Sequence, residues 1–383
     1  MLNAILPVEA YTSEQFFQLE QRHIFTEHWQ CAGLIEDLIA PGDYLTAKVG
    51  LADILVVKGQ DNQLSAYHNA CRHRGTRLLD GKGKTGTRIV CPYHSWSYDL
   101  AGNLLGLPEH KRQFSQLDKS CYGLKPAKVG VWRGMIWVHA KPDAIELVDW
   151  FAPMAEQLAP YDIGSLIESP DDLVSQEINA NWKIVVENYI DHYHLAHLHS
   201  GTLSMYDHKR AKFGFADHHF HFWEPLSADY QQDISTNAPL PLLMDKADPT
   251  LGAWVPMLFP GIGLAETESS WSVFHIVPLA VDKTRVNIRA KVKNTSSLAF
   301  MSQAAKSYAY WQRKVKAKSA KQGDKHPLGS GDFMQEDVYV CEQLQQAMKS
   351  PYFSFGPLAE RSELPVYQHQ QLVWQLIAPH WQT

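Results

Sequence analysis

The chain reads CRHRG at Cys71–Gly75 and CPYHSW at Cys91–Trp96, so each short box holds one cysteine and one histidine. Two cysteines with two histidines usually suggest zinc. Zinc fingers, however, pair Cys with Cys in one knuckle and His with His on a helix. Here each box is mixed, and both lie in β-type sequence. The runs DILVVKG, TRIVCPYH and GVWRGMIWVHA are separated by the turn signals APGD, KGQDNQ, DGKGK and LAGN. An all-β module over residues 40–145 is expected, with KPDA (141–144) as its exit.

A [2Fe–2S] cluster of Rieske type requires this donor set, two thiolates on one iron and two imidazoles on the other. Two antiparallel loops, each offering Cys and His, can supply one ligand to each iron. Cys71, His73, Cys91 and His94 are therefore the candidate cluster ligands. Neutral imidazole in place of thiolate makes the cluster less negative and raises its potential. Gly75 and Pro92 suit tight turns. Tyr93, Trp96 and Tyr98 would shield the cluster from water or simply pack the core.

The rest of the 383 residues is long enough for a second domain. An apolar content of 45% and a charged content of 20% describe an ordinary globular protein. A formal charge of −6 gives no reason to expect nucleic-acid binding. No apolar run approaches membrane-spanning length. The opening MLNAILPVEAYTSEQ lacks the regions of a signal peptide, so a cytoplasmic protein without membrane attachment is expected. The five cysteines, Cys31, Cys71, Cys91, Cys121 and Cys341, are odd in number and scattered, which suits reduced thiols.

Helical spacing predicts a helix over Thr12–Trp29, another over Ala180–Leu198, a long one over 297–321 and a fourth over Asp332–Lys349. SSWSVFHIVPLA and TRVNIRAKVKN read as two strands joined by a short turn, so the second region is α+β. It contains ENYIDHYHLAHLH (Glu187–His199), with His192, His194, His197, His199 and Asp191 inside nine residues. On a regular helix Asp191 and His194 share a face, as do His194 and His197. His199 would lie about 140° round from His194. Regular geometry therefore favours a His194/His197 pair unless the helix ends or distorts before His199. A mononuclear iron that activates dioxygen takes two histidines and one carboxylate on one face, the carboxylate coming from anywhere in the chain.

CRHRG, CPYHSW, ENYIDHYHLAHLH and QEDVYVCEQLQQ (Gln335–Gln346) together resemble the large (alpha) subunit of Rieske non-haem iron oxygenases, over nearly the whole chain. The choline monooxygenase-like branch, with its acidic EDV–CE element, is the nearest in look. The resemblance implies an α+β protein: an all-β Rieske [2Fe–2S] domain (40–145) and a helix-grip (SRPBCC-like) catalytic domain with an antiparallel sheet and long helices (146–383). An N-terminal helical segment (1–39) would pack with the catalytic domain. His194 and His199 would bind mononuclear Fe(II), with Asp337 as the carboxylate and Glu336 as runner-up. Asp191 would link His194 to a cluster ligand of a neighbouring subunit in a homotrimer, and Asn188 would stand near the iron. Ser95 stands where glycine is common.

Dioxygen would be the co-substrate. NAD(P)H electrons would arrive through a separate flavin/iron–sulfur reductase, since the chain has no Rossmann-type glycine fingerprint. Arg313, Lys314, Lys316, Lys318 and Lys321 could dock such a reductase or form a solvated helix face. The resemblance points to hydroxylation or oxidative demethylation of a quaternary ammonium or betaine-like small molecule. The alternatives are ring hydroxylation or O-demethylation of an aromatic acid, and a non-catalytic electron carrier fused to a ligand-binding domain. Aromatics of the catalytic half, among them Phe213, Phe215, Phe220, Phe222, Trp223, Trp254, Trp271 and Phe274, are expected mostly in the core, although a cationic ligand would favour some as a cage.

Overall fold

The run ADILVVK has no polar alternation, and a strand of that kind must be covered on both faces. The computed structural model describes residues 2–232, 234, 238, 240–299, 301, 302, 305 and 326–382. In it Ile54, Leu55, Val56 and Val57 are all fully buried. Leu55 and Val57 point into one apolar cluster with Cys71, Cys91, Trp96 and Tyr98, and Ile54 and Val56 into another with Leu45, Ile136 and Val138. The period of two in a strand divides the run between two cores. Each such side chain contributes about 1.5–3 kcal/mol by leaving water.

By their contacts the residues fall into two units, one of Gln18–Ala152 and one of Met1–Phe17 with Pro153–Thr383. The first contains strands Gln30–Leu34 (β1), Asp43–Val49 (β2), Ala52–Lys58 (β3), Leu64–His68 (β4), Lys82–Lys84 (β5), Ile89–Val90 (β6), Ser97–Tyr98 (β7), Leu104–Gly106 (β8), Pro126–Trp132 (β9) and Met135–His139 (β10). Seven of these make an antiparallel sheet in the order β1-β10-β9-β4-β3-β2-β5, and β6-β7-β8 make a three-stranded sheet. Asp43 fixes the entry to β2, its Oδ2 accepting from the Ile39 and Ala40 amides at 2.9 and 2.7 Å.

The helix expected over Thr12–Trp29 is shorter. It runs as Glu14–Glu20 (α1), continues as a wider π turn over Gln21–Phe25, and gives way to β1. Thr26 explains the stop. Its amide and its hydroxyl both bond the Gln21 carbonyl, at 3.1 and 2.8 Å, and its hydroxyl accepts from Leu51 N at 3.0 Å.

The second unit carries strands Leu166–Ile178 (β11), Lys212–Ala216 (β12), His219–Pro225 (β13), Gly252–Trp254 (β14), Met257–Leu258 (β15), Ile262–Glu266 (β16), Ser270–Ala280 (β17) and Lys283–Lys293 (β18). They form one antiparallel sheet in the order β11-β18-β17-β16-β14-β13-β12, with β15 pairing β13 and β16. The expected hairpin is β17–β18. Helices Trp182–Ile190 (α2), Leu195–Leu198 (α3), Phe333–Met348 (α4) and Leu364–Ile377 (α5) accompany the sheet, and α4 and α5 both pack on α2. The fold is thus α+β, an all-β unit and an antiparallel sheet with helices. Most of the helix expected over 297–321, including its five basic residues, lies outside the described residues. Among the described residues no helix is long and apolar enough to cross a membrane.

Candidate metal centres

The two mixed boxes form two turns of the same design. Cys71 N donates to Thr76 O at 2.8 Å and Gly75 N to Cys71 O at 2.9 Å; Cys91 N donates to Trp96 O at 2.8 Å and Ser95 N to Cys91 O at 3.1 Å. The fifth residue of each turn is left-handed, Gly75 with φ 78° and Ser95 with φ 57°. The second turn is clamped by the β6–β7 pair, Val90 opposite Ser97. Both cysteines are buried, at 3% and 2% exposure. The imidazoles of His73 and His94 lie beside each other with centroids 4.6 Å apart.

The shielding aromatics take distinct parts. Trp96 stacks on His73 at 4.9 Å and is buried. Tyr98 places its hydroxyl 3.3 Å from Cys71 Sγ and accepts from Arg72 N. Tyr93 is exposed and lies against His94. Burial, with the positive charges of His94 and Arg74, pushes the His73 pKa down and favours the neutral ring that a metal requires. Nδ1 of His73 is buried and has no hydrogen-bond partner among the described residues. An orphaned nitrogen beside a second imidazole and two buried thiols is a donor set that fits a [2Fe–2S] cluster.

In the other unit the His-rich segment is not one helix. Asn181 caps α2 by accepting from Lys183 N at 3.0 Å, and the helix stops at Ile190. Asp191 takes an extended conformation, and its Oδ1 accepts from Tyr193 N at 2.6 Å. The chain then starts the short α3, with His194 just before it and His199 just after it. The short helix ends at Leu198, His199 leaves the helical conformation (φ −95°, ψ 21°), and the rings of His194 and His199 come together with centroids 5.0 Å apart. This resolves against the His194/His197 pairing that a regular helix favours. His197 instead meets Tyr193, and His192 donates to the His208 carbonyl.

Helix α4 supplies the acids. Asp332 caps it, accepting from Met334 N at 2.9 Å, and sets the rotation of the first turns. Successive residues on a helix diverge by about 100°. Glu336 and Asp337 therefore reach different atoms of one imidazole: Glu336 Oε2 is 2.8 Å from His199 Nδ1, and Asp337 Oδ1 is 2.9 Å from His199 Nε2. Asp337 Oδ1 is also 3.7 Å from His194 Nε2. His194, His199 and Asp337 each offer one ligand atom, all within 4.8 Å of one another. Burial alone would lower the His199 pKa, but its bonds to Asp337 and Glu336 prevail and raise it to about 9.

Outer partners are in place on both rings. Asp191 Oδ2 is 3.0 Å from His194 Nδ1, and Glu336 holds His199 Nδ1 with help from Thr202 Oγ1 at 2.8 Å. Carboxylates on the far nitrogens fix tautomer and ring orientation for metal binding. Two imidazole nitrogens and a carboxylate at one wall of a cavity of about 390 Å³ suit an iron with open positions. Asn188 lines the same cavity, as do Phe222 and Phe274, while Phe220 and Trp271 are core residues. Sequence reasoning missed Thr202, Tyr206, Glu224, Tyr230 and Glu268, which carry no local signal.

Residues 161–378 match the family model described as ring hydroxylating alpha subunit (catalytic domain), and residues 28–124 match the Rieske [2Fe-2S] domain. The chain belongs to the ring hydroxylating alpha subunit family. Its two domains imply a Rieske [2Fe–2S] cluster and a mononuclear iron as cofactors.

This alpha subunit is 36% identical over 201 residues to the glycine betaine monooxygenase oxygenase subunit of Chromohalobacter salexigens, covering 52% of the chain and 44% of that protein. It is 34% identical over 196 residues to the carnitine monooxygenase oxygenase subunit of Acinetobacter pittii, covering 51% and 52%. The chain thus spans about half the length of the curated relatives it matches. In fold it is similar to the quaternary ammonium Rieske monooxygenase CntA, with a TM-score of 0.76 at 24% identity over 98% of this chain and 96% of that one. Naphthalene 1,2-dioxygenase from Rhodococcus sp. shares the fold with a TM-score of 0.70 at 18% identity, over 97% and 93%.

Proposed function

We propose that this alpha subunit is the terminal oxygenase component of a Rieske non-haem iron system, hydroxylating or oxidatively demethylating a quaternary ammonium or betaine-like compound. The observation that carries the reading is the convergence of His194, His199 and Asp337 on the wall of a largely apolar cavity. In this assignment Cys71, His73, Cys91 and His94 hold the cluster within a Rieske domain of residues 40–145. His194, His199 and Asp337 hold the iron in a catalytic domain of residues 146–383; of the segment 1–39 expected to pack with it, only Met1–Phe17 groups with that unit, while Gln18 onward, β1 included, belongs to the cluster-bearing unit. When bound, the cluster supplies single electrons and the iron activates dioxygen.

The chain's own residues do the rest. Asp191 and Glu336 hold the Nδ1 protons of His194 and His199, which turns each Nε2 towards Asp337, where a bound metal would take the place of the proton that His199 Nε2 shares with Asp337 Oδ1. Phe222, Phe274 and Leu203 line the cavity and exclude water from the reacting centre. The ring faces also attract a quaternary ammonium group, the kind of compound named for the relatives from Chromohalobacter and Acinetobacter.

Asp191 also lines a second, open depression of about 810 Å³ beside Ile184, Val340, Leu344 and Val366. That double exposure supports a homotrimer in which a neighbouring subunit's cluster domain seats there and Asp191 couples the two metals. Asn188 lines both spaces and positions the groups around the iron. A separate NAD(P)H-dependent flavin/iron–sulfur reductase supplies the electrons, and the protein works in the cytoplasm.

A single-turnover experiment tests the reading. Protein carrying the cluster and one further iron per chain is reduced chemically and offered oxygen with betaines, choline, carnitine and aromatic acids. Oxygenated or demethylated amine is the expected product. Product from aromatic acids alone would overturn the substrate class. Cluster oxidation at one rate whatever is added, with no product, would overturn the oxygenase reading.

A further inference from the structure

Glu268 lies in the turn between β16 and β17, where the sequence TESS reads as an ordinary polar turn. The residue is only 3% exposed, and it lines the cavity that contains His194, His199 and Asp337. Tyr206 donates its hydroxyl to Oε2 at 3.2 Å and Tyr230 to Oε1 at 2.9 Å, so both carboxylate oxygens accept. Burial raises the carboxyl above its ordinary value, and the two phenols work against that rise.

A second acid, Glu224, also lines the cavity and is 3% exposed. Its Oε2 lies 2.7 Å from His208 Nδ1, which gives it a basic partner. Glu268 has none: among the described residues its carboxylate is met by the two phenols and its own backbone amide, and no lysine or arginine lines the cavity. A buried carboxylate is costly without a cation. An incoming ligand can supply that missing charge.

We propose that Glu268, held by Tyr206 and Tyr230, is the specificity-determining counter-ion of this cavity, receiving the positive head of a small organic cation that has no carboxylate of its own. The inference rests on the oxygenase reading for what the cavity is for, and it narrows the substrate within the quaternary ammonium class. Ring faces from Phe222 and Phe274 complete the environment for alkylated nitrogen. A zwitterion would bring its carboxylate into a space already lined by four others, Asp191, Glu224, Glu268 and Asp337, with no lysine or arginine among the described lining residues. Like charges so placed disfavour binding.

Glu268 could instead serve only as a pin, tying the Tyr206 segment and the short helix Ala228–Gln232, which carries Tyr230, to the sheet. A glutamine keeps that pin, since its amide still bonds the phenols, but it removes the charge. The test is therefore anaerobic calorimetry on metal-loaded protein, wild type and Glu268→Gln. Three probes of similar shape are used: choline, its neutral carbon isostere 3,3-dimethylbutan-1-ol, and glycine betaine.

Wild type is expected to bind choline at least about tenfold more tightly than the isostere, and more tightly than glycine betaine. Glu268→Gln is expected to lose that tenfold for choline and to bind the isostere unchanged. Equal choline binding by both proteins overturns the proposal. So does a wild type that binds isostere or betaine as well as choline, a comparison that stands even if the variant does not fold. Single turnover of the wild type reports separately on the oxygenase reading. Amine product with no dependence on Glu268 sinks the counter-ion alone, whereas no product from any compound sinks the oxygenase.

Discussion

Glu336 and Asp337 are neighbours on one helix with opposite assignments, and a pair of substitutions separates them. Glu336→Ala removes the acceptor of two bonds of 2.8 Å, from His199 Nδ1 and from Thr202 Oγ1. His199 is 1% exposed, so water does not reach the vacated nitrogen without rearrangement. A buried donor left unpaired costs about 1–3 kcal/mol. Losing an outer partner of a metal-binding histidine lowers affinity about 10- to 100-fold, or roughly 1.4–2.8 kcal/mol. The two ranges agree. Glu336→Gln keeps an acceptor in place and should lose less than Glu336→Ala.

Asp337→Ala removes a ligand atom itself and should leave the site empty at chelator concentrations that Glu336→Ala still survives. The assay is equilibrium competition for ferrous iron against a chelator of known affinity, without oxygen, with cluster content measured in parallel. If Glu336→Ala empties the site while Asp337→Ala retains iron, the two acids exchange roles. If neither variant changes affinity, the iron is not held from α4 at all.

Asp191→Ala should still carry cluster and iron, by metal analysis, when metal is in excess, though the iron is held more weakly for the loss of the His194 partner, and should abolish coupled turnover; wild-type coupled turnover would remove the coupling role from Asp191. In the paired turns, Gly75→Ala meets nothing within 4 Å of the added carbon, so its cost of about 1–2 kcal/mol is backbone strain alone. Ser95→Gly should relieve the same strain at φ 57°, less the freedom that glycine gains when unfolded, a net stabilisation of about 0.5 kcal/mol. The temperature at which the cluster's visible absorbance is lost reports both, and an unchanged Gly75→Ala would contradict the strain.

Asp43 is held below the ordinary aspartate value of 3.8, first by the Ala40 amide, against burial, with help from the Ile39 amide and Lys84. A depressed folded pKa gives stability that is present above 3.8 and lost as pH falls through the folded value. The gap in unfolding temperature between wild type and Asp43→Asn should therefore narrow below about pH 4, and a gap independent of pH would refute it.

The candidate cluster site was legible as a donor set because its residues are local: a mixed Cys–His pair in two boxes needs no tertiary information beyond the meeting of the boxes, and the structure brings His73 and His94 side by side. The iron site was half legible. A regular helix favours His197, and only the end of α3 at Leu198, with His199 out of the helical conformation, presents His199. Resemblance supplied the His199 and Asp337 assignments that periodicity could not. Helix α5 escaped notice because its buried face includes His369 and Gln370 among the apolar positions, which blurs the period. Strand β11 carries a register shift between Ser169 and Val174, and the intervening PDD has the look of a turn. Glu268 was illegible, since its setting is made by Tyr206 and Tyr230, dozens of residues away and on other elements.

The twin turns around Cys71 and Cys91 also bear on the order of assembly. Each closes through bonds that reach only four or five residues along the chain, and contacts so local cost little loop entropy and form early in folding. The seven-stranded sheet beneath them joins β1 to β10 and β9 to β4, pairings that span much of the unit and come later. Both thiols are already inside the wall in the finished fold. Iron and sulfide therefore have their easiest entry while the turns are shaped and the sheet is still incomplete, which favours cluster insertion during maturation of the chain over loading of the finished fold.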